Sequence, residues 1–262
     1  MIVEQIWTAN PARNFNYLIA CGETGEAMAV DPVDHIRCLA TAEKRGWQIT
    51  QIVNTHEHGD HVAGNAAMLV ATGAKLLAHE NAGPKIKSID RGLKEGDMVN
   101  VGTSVQLIVL DTPGHTMCHI ALLSTAQPPT LLSGDVLFNA GIGNCHNGGD
   151  PQVLFHTIET KIQNLTDDTR VYPGHEYLLH NLAFSLDREP NNPQVIKMLG
   201  ELGELYDPHE PLVTTIGLER EINPFLRLGN KTLVERLRES FPNMSDTRKE
   251  VFLRLRQLRD RW

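Results

Sequence analysis

The sequence predicts an α/β fold carrying a C-terminal α-helical domain, and three features predict it. Short β-branched or apolar runs alternate with helix-like stretches through the first 176 residues. Histidines and aspartates gather where those runs end. From Tyr177 onward strand signals all but vanish, and Pro190, Pro193, Pro208, Pro211, Pro224 and Pro242 punctuate helical periodicity. The boundary between the two parts is therefore expected near residue 177.

Composition bounds what the chain does. At 262 residues it has the length for one large domain, or one domain with a smaller one appended, and 41% hydrophobic content supplies a core. A formal charge of −8 argues against general nucleic-acid binding, which needs a basic surface. No apolar run reaches the roughly 18 residues a membrane helix needs, so no membrane partner is expected. Met1-Ile2-Val3-Glu4-Gln5 lacks the basic start and apolar core of a signal peptide, which makes a cytoplasmic location the expectation. Cys21, Cys38, Cys118 and Cys145 form no C-x-x-C pair and read as reduced, mostly buried thiols. A monomer or small homo-oligomer is expected.

The first fifty residues read as strands with tight turns: Ile2 to Trp7, Phe15 to Ala20 and Ala27 to Val30, split by Asn10-Pro11 and Cys21-Gly22. Asp31-Pro32 ends a strand, and Asp34 is a candidate cap for a helix running to Arg45. Ile49 to Asn54 alternates as a buried strand and runs into Thr55-His56-Glu57-His58-Gly59-Asp60-His61. Three imidazoles and two carboxylates thus fall within six residues, with Gly59 arguing for a loop and Val62 to Val70 for the helix that follows. On one helix His56 and His58 would face apart, but a strand-end turn lets them converge. Imidazole with carboxylate suits zinc, iron or manganese better than calcium or magnesium.

This cluster resembles the H-x-H-x-D-H signature of the metallo-β-lactamase superfamily at every defining position. The resemblance implies an αββα sandwich and two adjacent metal sites, and it requires three further ligands at strand ends downstream. In that family an Asp at the Asp31 position supports the metal site. A simple turn-forming Asp before proline is the other reading.

Farther along, Ala74 to Ala78 is a strand followed by His79, which lies outside the motif spacing and reads as structural. Lys85 to Gly102 is charged and turn-rich, with a hairpin expected at Glu95-Gly96-Asp97. Ser104 to Leu110 is strongly β-like and ends in Asp111-Thr112-Pro113-Gly114-His115, which supplies the first ligand. His119 opens the strand to Ser124 and reads as core or as support. Thr130 to Ser133 ends in Gly134-Asp135, the second ligand, whose two oxygens can bridge two cations. A glycine-rich loop, Ala140 to Asp150, leads to a helix opened by Pro151 with apolar positions Val153, Leu154, Ile158, Ile162 and Leu165. Thr169 to Tyr172 is a short strand entering Pro173-Gly174-His175-Glu176-Tyr177, and His175 is the third ligand. The resemblance assigns His56, His58 and His115 to one metal and Asp60, His61 and His175 to another. Asp135 bridges, and Asp60 and Asp135 act in catalysis with a metal-bridging hydroxide. Two divalent ions per chain are expected, zinc first, with iron or manganese as alternatives.

Val195 to Leu205 and Thr232 to Glu239 read as helices, and Val251 to Trp262 as an amphipathic one through Val251, Phe252, Leu255, Leu258 and Trp262. The expected division is a metal-binding catalytic domain over 1–176 and a helical substrate-binding domain over 177–262. His175-Glu176-Tyr177, Asn181-Leu182, Ile222 to Arg227 and Leu255 to Trp262 together resemble glyoxalase II, the hydroxyacylglutathione hydrolases, essentially over the whole chain. From Ser245 to Trp262 there are six Lys or Arg against three acidic residues, and Arg256 and Arg259, three apart, share a helix face. Paired guanidiniums suit a carboxylate. The resemblance implies that they hold the glycine carboxylate of glutathione while Tyr177 and Asn181 contact its peptide.

The implied reaction is hydrolysis of a small thioester, S-D-lactoylglutathione to D-lactate and glutathione. Two cations acidify the bridging water, and the hydroxide attacks the thioester carbonyl. A thiolate, whose conjugate acid has a pKa of about 8.5, leaves without a strong general acid. One departure bears on the thiol. The family usually carries a basic residue and an aromatic hydroxyl in the loop after the bridging Asp, where this chain has Asn144 and His146. Two thiol contacts are therefore altered, and the carrier stands open between glutathione and another thiol. Gly148-Gly149-Asp150-Pro151 is also similar to the persulfide dioxygenase branch, which would hold one Fe(II) through His56, His115 and Asp135. The helical tail weighs against that alternative.

Overall fold

The computed structural model describes residues 1–203 and 206–262. β1 (Ile2–Trp7), β2 (Phe15–Ala20), β3 (Glu26–Val30), β4 (Gln48–Val53), β5 (Lys75–His79) and β6 (Arg91–Leu93) form one six-stranded sheet in that order. β7 (Met98–Val101), β8 (Val105–Asp111), β9 (Ile120–Ser124), β10 (Thr130–Gly134), β11 (Arg170–Pro173) and β12 (Thr214–Thr215) form a second, also in sequence order. β3 through β6 run parallel, as do β10 and β11.

Side-chain alternation along the strands makes the layers. In β2, Phe15, Tyr17 and Ile19 face the interior between the sheets, where they meet Leu107, Val109 and Leu122 of the second sheet. Leu18 and Ala20, on the opposite face, pack under α1 (His35–Arg45), α2 (Gly59–Val62) and α3 (Asn65–Thr72), with Cys38, Ala42 and Met68 as the helical contribution. α4 (Pro151–Thr160) covers the outer face of the second sheet. The helices that follow are α5 (Leu178–Arg188), α6 (Pro193–Leu202), α7 (Ile216–Ile222), α8 (Lys231–Ser240) and α9 (Arg248–Arg259). Phe184, Phe225 and Phe252 from this C-terminal part share one core with Leu131, Val171 and Leu154. Full burial contributes about 1.5–3 kcal/mol per large apolar side chain, enough to weld the helical part onto the second sheet.

Four local features differ from the sequence expectations. The stretch Val62 to Val70 is not one helix: it breaks between α2 and α3, and at the break Gly64 lies against Pro32, whose carbonyl oxygen would be 1.9 Å from a Cβ there. Gly59, expected in a loop, opens α2, so Asp60 and His61 project from a helical turn. Glu95-Gly96-Asp97 closes no hairpin, since β6 pairs with β5 while β7 pairs with β8, and the turn carries the chain from one sheet to the other. Gly96 supplies the left-handed conformation the turn needs, at φ +79°. Thr214–Thr215 adds an edge strand in a region where the sequence shows almost no strand signal. The end of the expected Val195 to Leu205 helix, at 204 and 205, lies outside the described residues.

The two sheets are stitched together beside the ends of β4, β8, β10 and β11. Phe15 N donates to Gly174 O (2.8 Å), Glu176 N to Arg13 O (2.9 Å) and Ile120 N to Thr55 O (2.8 Å). Among the described residues, no helix is long and apolar enough to cross a membrane.

Candidate metal centre

The strand ends deliver their histidines to one place. The ring nitrogens of His56, His58 and His115 form a triad whose ligand atoms lie within 4.8 Å of one another, and Asp60, His61 and His175 form a second. His56, His61, His115 and His175 are buried, while His58 and Asp60 are half-buried. Asp135 sits between the triads. Its Oδ2 is 3.3 Å from His115 Nε2 and 3.2 Å from His175 Nε2, and its Oδ1 is 3.5 Å from His61 Nε2. Gly174 makes the room, because a Cβ there would lie 2.2 Å from Asp135 Oδ1.

Each imidazole is also held from behind. His115 Nδ1 donates to Asn144 O (2.6 Å), His58 Nε2 to Asn147 O (3.1 Å) and His175 Nδ1 to Ala12 O (2.7 Å). His56 Nδ1 reaches Thr55 Oγ1 at 3.0 Å, and that hydroxyl donates in turn to Asp31 Oδ2 (2.6 Å). His61 Nδ1 meets the same Asp31 oxygen at 3.0 Å. With one nitrogen of every ring committed to an oxygen, the other presents its lone pair to the centre. Asp31 therefore does more than form a turn: at φ +48° it takes the Thr55 amide, the Thr55 hydroxyl and His61. It also lies in a third donor group with His56 and His61, but its oxygens are already engaged there, which leaves the other two groups as the candidate ion sites.

Charge makes the pocket ready for cations. Burial alone would raise the Asp135 carboxyl, yet the imidazoles of His175, His61 and His115 hold it well below the usual range. Burial pulls His61 down, but Asp135 and Asp31 outweigh it and lift the imidazole to about 9, so without an ion this ring carries the proton that a bound ion would displace. Asp135 Oδ1 is buried with no hydrogen-bond partner, an expensive arrangement unless something positive meets it. Five imidazoles and two carboxylates, one of them with an orphaned oxygen, fit a pair of divalent ions.

The expected substrate residues divide. Tyr177 is half-buried at the edge of the second triad, and its hydroxyl donates to Ala12 O (2.9 Å). His146 is exposed, with Nε2 at 3.3 Å from Asp260 Oδ1. Asn144 turns its side chain onto its own loop, accepting from His146 N (3.0 Å). Arg259 is half-buried over Phe184 and donates from Nη2 to Asn181 Oδ1 (3.0 Å). Burial and the neighbouring Arg256 lower its pKa to about 10, so it remains a cation at neutral pH. Asn181 and Arg256 are not brought to an open cleft. Asn181 is buried and donates to Asn139 O (2.9 Å). Arg256 is 5% exposed and donates to Ile142 O and Gly143 O, both at 3.1 Å.

Several supporting groups escaped sequence reasoning. Asn14 Nδ2 donates to Asp60 Oδ2 (3.1 Å), and the Ala12 carbonyl serves both His175 and Tyr177. Arg13 pairs with the buried Glu176. Both join Tyr177, Leu179 and the exposed His180 around a cavity of about 390 Å³ beside the second triad. Backbone carbonyls leave no signature in a sequence, and nothing in Asn14 or His180 sets them apart from ordinary polar residues. His119 is a support: its Nε2 accepts from Asp135 N (3.0 Å) and its ring stacks on His56. His79 lies 3.4 Å from Asp111 and outside both triads. A wider cavity, about 660 Å³, opens at the far end of the parallel strands around Gln48, Thr72, Lys75 and Asp90, away from all of these groups.

Fold and site define a protein of the metallo-β-lactamase superfamily, and the family model for that superfamily matches residues 12–175. A second family model, described as hydroxyacylglutathione hydrolase C-terminus, matches residues 176–262. Proteins named hydroxyacylglutathione hydrolase from Nitrosococcus oceani and Polaromonas sp. are 57% and 56% identical over 264 residues, with 100% of each chain covered. The chain belongs to the hydroxyacylglutathione hydrolase family. Among solved structures it is similar in fold to ETHE1 from Myxococcus xanthus, with TM-score 0.69, 23% identity, and 99% and 98% of the two chains covered. TTHA1623, solved in a di-iron-bound form, gives TM-score 0.60 at 26% identity, covering 85% of this chain and 100% of its own.

Proposed function

We propose that this protein hydrolyses hydroxyacyl thioesters of glutathione, adding water across the thioester to release a hydroxy acid and the free thiol. Membership of the hydroxyacylglutathione hydrolase family supports the substrate class. The observation that carries the chemistry is Asp135, an orphaned buried carboxylate between two triads whose rings are all held from behind.

His56, His58 and His115 would hold one divalent ion, Asp60, His61 and His175 a second, and Asp135 would touch both. When bound, such ions acidify water and polarise a carbonyl. Zinc is the metal we favour, with iron and manganese open to the same donors. The protein's own part is placement. Asp31, Thr55 and the Asn144, Asn147 and Ala12 carbonyls fix the rings before substrate arrives. Tyr177 walls the second triad, and Arg259 offers a guanidinium with donors to spare toward an anionic group of the thiol. No strong acid is needed opposite the leaving sulfur, whose conjugate acid has a pKa of about 8.5. Residues 1–176 would thus carry the metals and residues 177–262 the thiol-binding edge, in a cytoplasmic protein. The test is turnover of S-D-lactoylglutathione with metal counting on the same sample. Two ions per chain with turnover are expected, and one iron without thioester cleavage would overturn the reading.

A second reading concerns the carrier. Asn144 Oδ1 accepts from its own loop and His146 Nε2 faces Asp260, which leaves neither residue the basic group or aromatic hydroxyl usual in the family. Turnover of another thiol's hydroxyacyl ester in preference to that of glutathione would establish a different carrier for the same hydrolysis.

A further inference from the structure

Glu57 stands in sequence between two ligands, His56 and His58, yet it belongs to none of the donor groups of the centre. Its side chain is 3% exposed, and each of its oxygens meets a different distant segment. Oε2 accepts from Thr116 Oγ1 (2.9 Å), and Thr116, itself wholly buried, directly follows the third ligand of the same triad, His115. Oε1 accepts from Lys85 Nζ (2.6 Å), which comes from the connection between β5 and β6. A carboxylate buried this deeply is tolerated only where its charge and lone pairs are met.

The first triad is assembled from two turns far apart in sequence. The turn after β4 carries His56 and His58, and the turn after β8 carries His115. Two links join these turns. Ile120 N donates to Thr55 O (2.8 Å) on one side of the ligands, and Glu57 bonds Thr116 on the other. With the first link alone the turns would be free to pivot about it; the second fixes the angle. His58 Nδ1 stands 3.0 Å from His115 Nε2, so even a small pivot would open the triad. Lys85 is well placed to steady the second link. Its neighbour Ile86 is buried in the same core as Met68, and a Cβ on Gly148 would lie 3.7 Å from Lys85 Nζ. The ammonium thus lies beside the loop whose Asn147 carbonyl accepts from His58. Lys85 remains exposed, so it balances the carboxylate without being enclosed itself.

We propose that Glu57 is a positioning residue for the first metal site: its carboxylate ties the turn carrying His56 and His58 to the turn carrying His115 and thereby sets the spacing of that triad. The proposal rests on the metallohydrolase reading above. The second triad is held by other means, with His61 on Asp31 and His175 on the Ala12 carbonyl. Loss of Glu57 is therefore felt at one ion rather than at both.

The experiment compares full-length wild type, Glu57→Ala, Thr116→Val and the double variant, each loaded with cobalt. It reads the visible spectrum, the release of each ion to a chelator, and kcat and KM on a glutathione thioester. Glu57→Ala is expected to shift the spectrum and to release one ion roughly tenfold to a hundredfold faster, with the other at the wild-type rate. Its kcat should fall with KM nearly unchanged. Thr116→Val should do the same more mildly, and the double variant should be no worse than Glu57→Ala, because both substitutions cut one link. Wild-type release from Glu57→Ala, equal acceleration of both ions, or losses that add in the double variant would overturn the proposal. Should Glu57→Ala fail to fold, Thr116→Val decides alone, and a wild-type release rate there overturns it. Wild type that binds two cobalt ions but leaves the thioester intact would overturn the functional reading, while the release rates would still decide the role of Glu57.

Discussion

Tyr177 lies flat against His175, with ring centroids 5.0 Å apart and planes 6° from parallel, and both side chains donate to the carbonyl of Ala12. The phenol is a shelf for the imidazole. Burial, then the Asp135 and Asp60 charges, push it up to about 12, so it stays a neutral donor across the working range. Tyr177→Phe keeps the shelf and loses one hydrogen bond, so kcat should fall about two- to tenfold. Tyr177→Ala frees the ring and should cost roughly tenfold to a hundredfold in metal affinity or activity. Equal losses in the two variants would show that the stack contributes nothing.

Asp31 ties the first triad to the second, through Thr55 to His56 and directly to His61. Asp31→Asn should weaken metal binding by roughly tenfold to a hundredfold, read by competition with a chromogenic chelator. An affinity equal to wild type would reduce Asp31 to a turn-former.

Asp135→Ala removes the carboxylate that lies between the triads. Turnover should fall by orders of magnitude and metal content should drop in the same preparation. Two retained ions with near-normal turnover would remove Asp135 from the centre.

Arg259→Ala should raise KM for a glutathione thioester roughly ten- to a hundredfold, the worth of a charge-assisted hydrogen bond. kcat should change little, because a contact remote from the breaking bond serves ground state and transition state alike. A thioester without carboxylates should show no such loss. Equal effects on the two substrates would assign Arg259 to structure.

Glu219 is wholly buried, and burial lifts its carboxyl to about 7 against hydrogen bonds from Thr214, Asn223 and the Ala140 amide. The folded pKa lies above that of an unfolded glutamate, about 4.3, so the folded protein binds the proton more tightly. Stability from this group is present at low pH and is lost as pH rises from about 4.3 to about 7. Against Glu219→Gln, wild type should lose on the order of 3 kcal/mol across that window, measured by denaturant unfolding at each pH. Parallel stability curves for the two proteins would contradict the linkage.

What could be read in the sequence, and what could not, follows from the kind of signal each feature leaves. His56, His58, Asp60, His61, His115, Asp135 and His175 stand at the ends of β-like runs, so residue type and spacing alone announce a convergence. Asn144 and Ala12 act through backbone oxygens, which every residue has. Helical spacing places Arg256 and Arg259 on one face but says nothing of what lies opposite, and the fold sets the Ile142 and Gly143 carbonyls against one and Asn181 and Phe184 against the other. Gly96 announces a turn without naming the strands it joins. Two residues of strand at Thr214–Thr215 are too few to show a period at all.

The stitching of Phe15 to Gly174 and of Arg13 to Glu176 has a consequence for how the protein is made and lost. The groups that aim the rings come from the first fifteen residues, both sheets and, through Arg256, the last helix. Contacts so distant in sequence close late, after most of the chain has collapsed. Ion capture would therefore report completed folding, with a newly synthesised chain unable to finish its centre until its last turns are available. In the reverse direction, melting either end loosens the rings. An ion held there would then escape when either end opens, ahead of global unfolding, so metal retention would report the integrity of both ends at once.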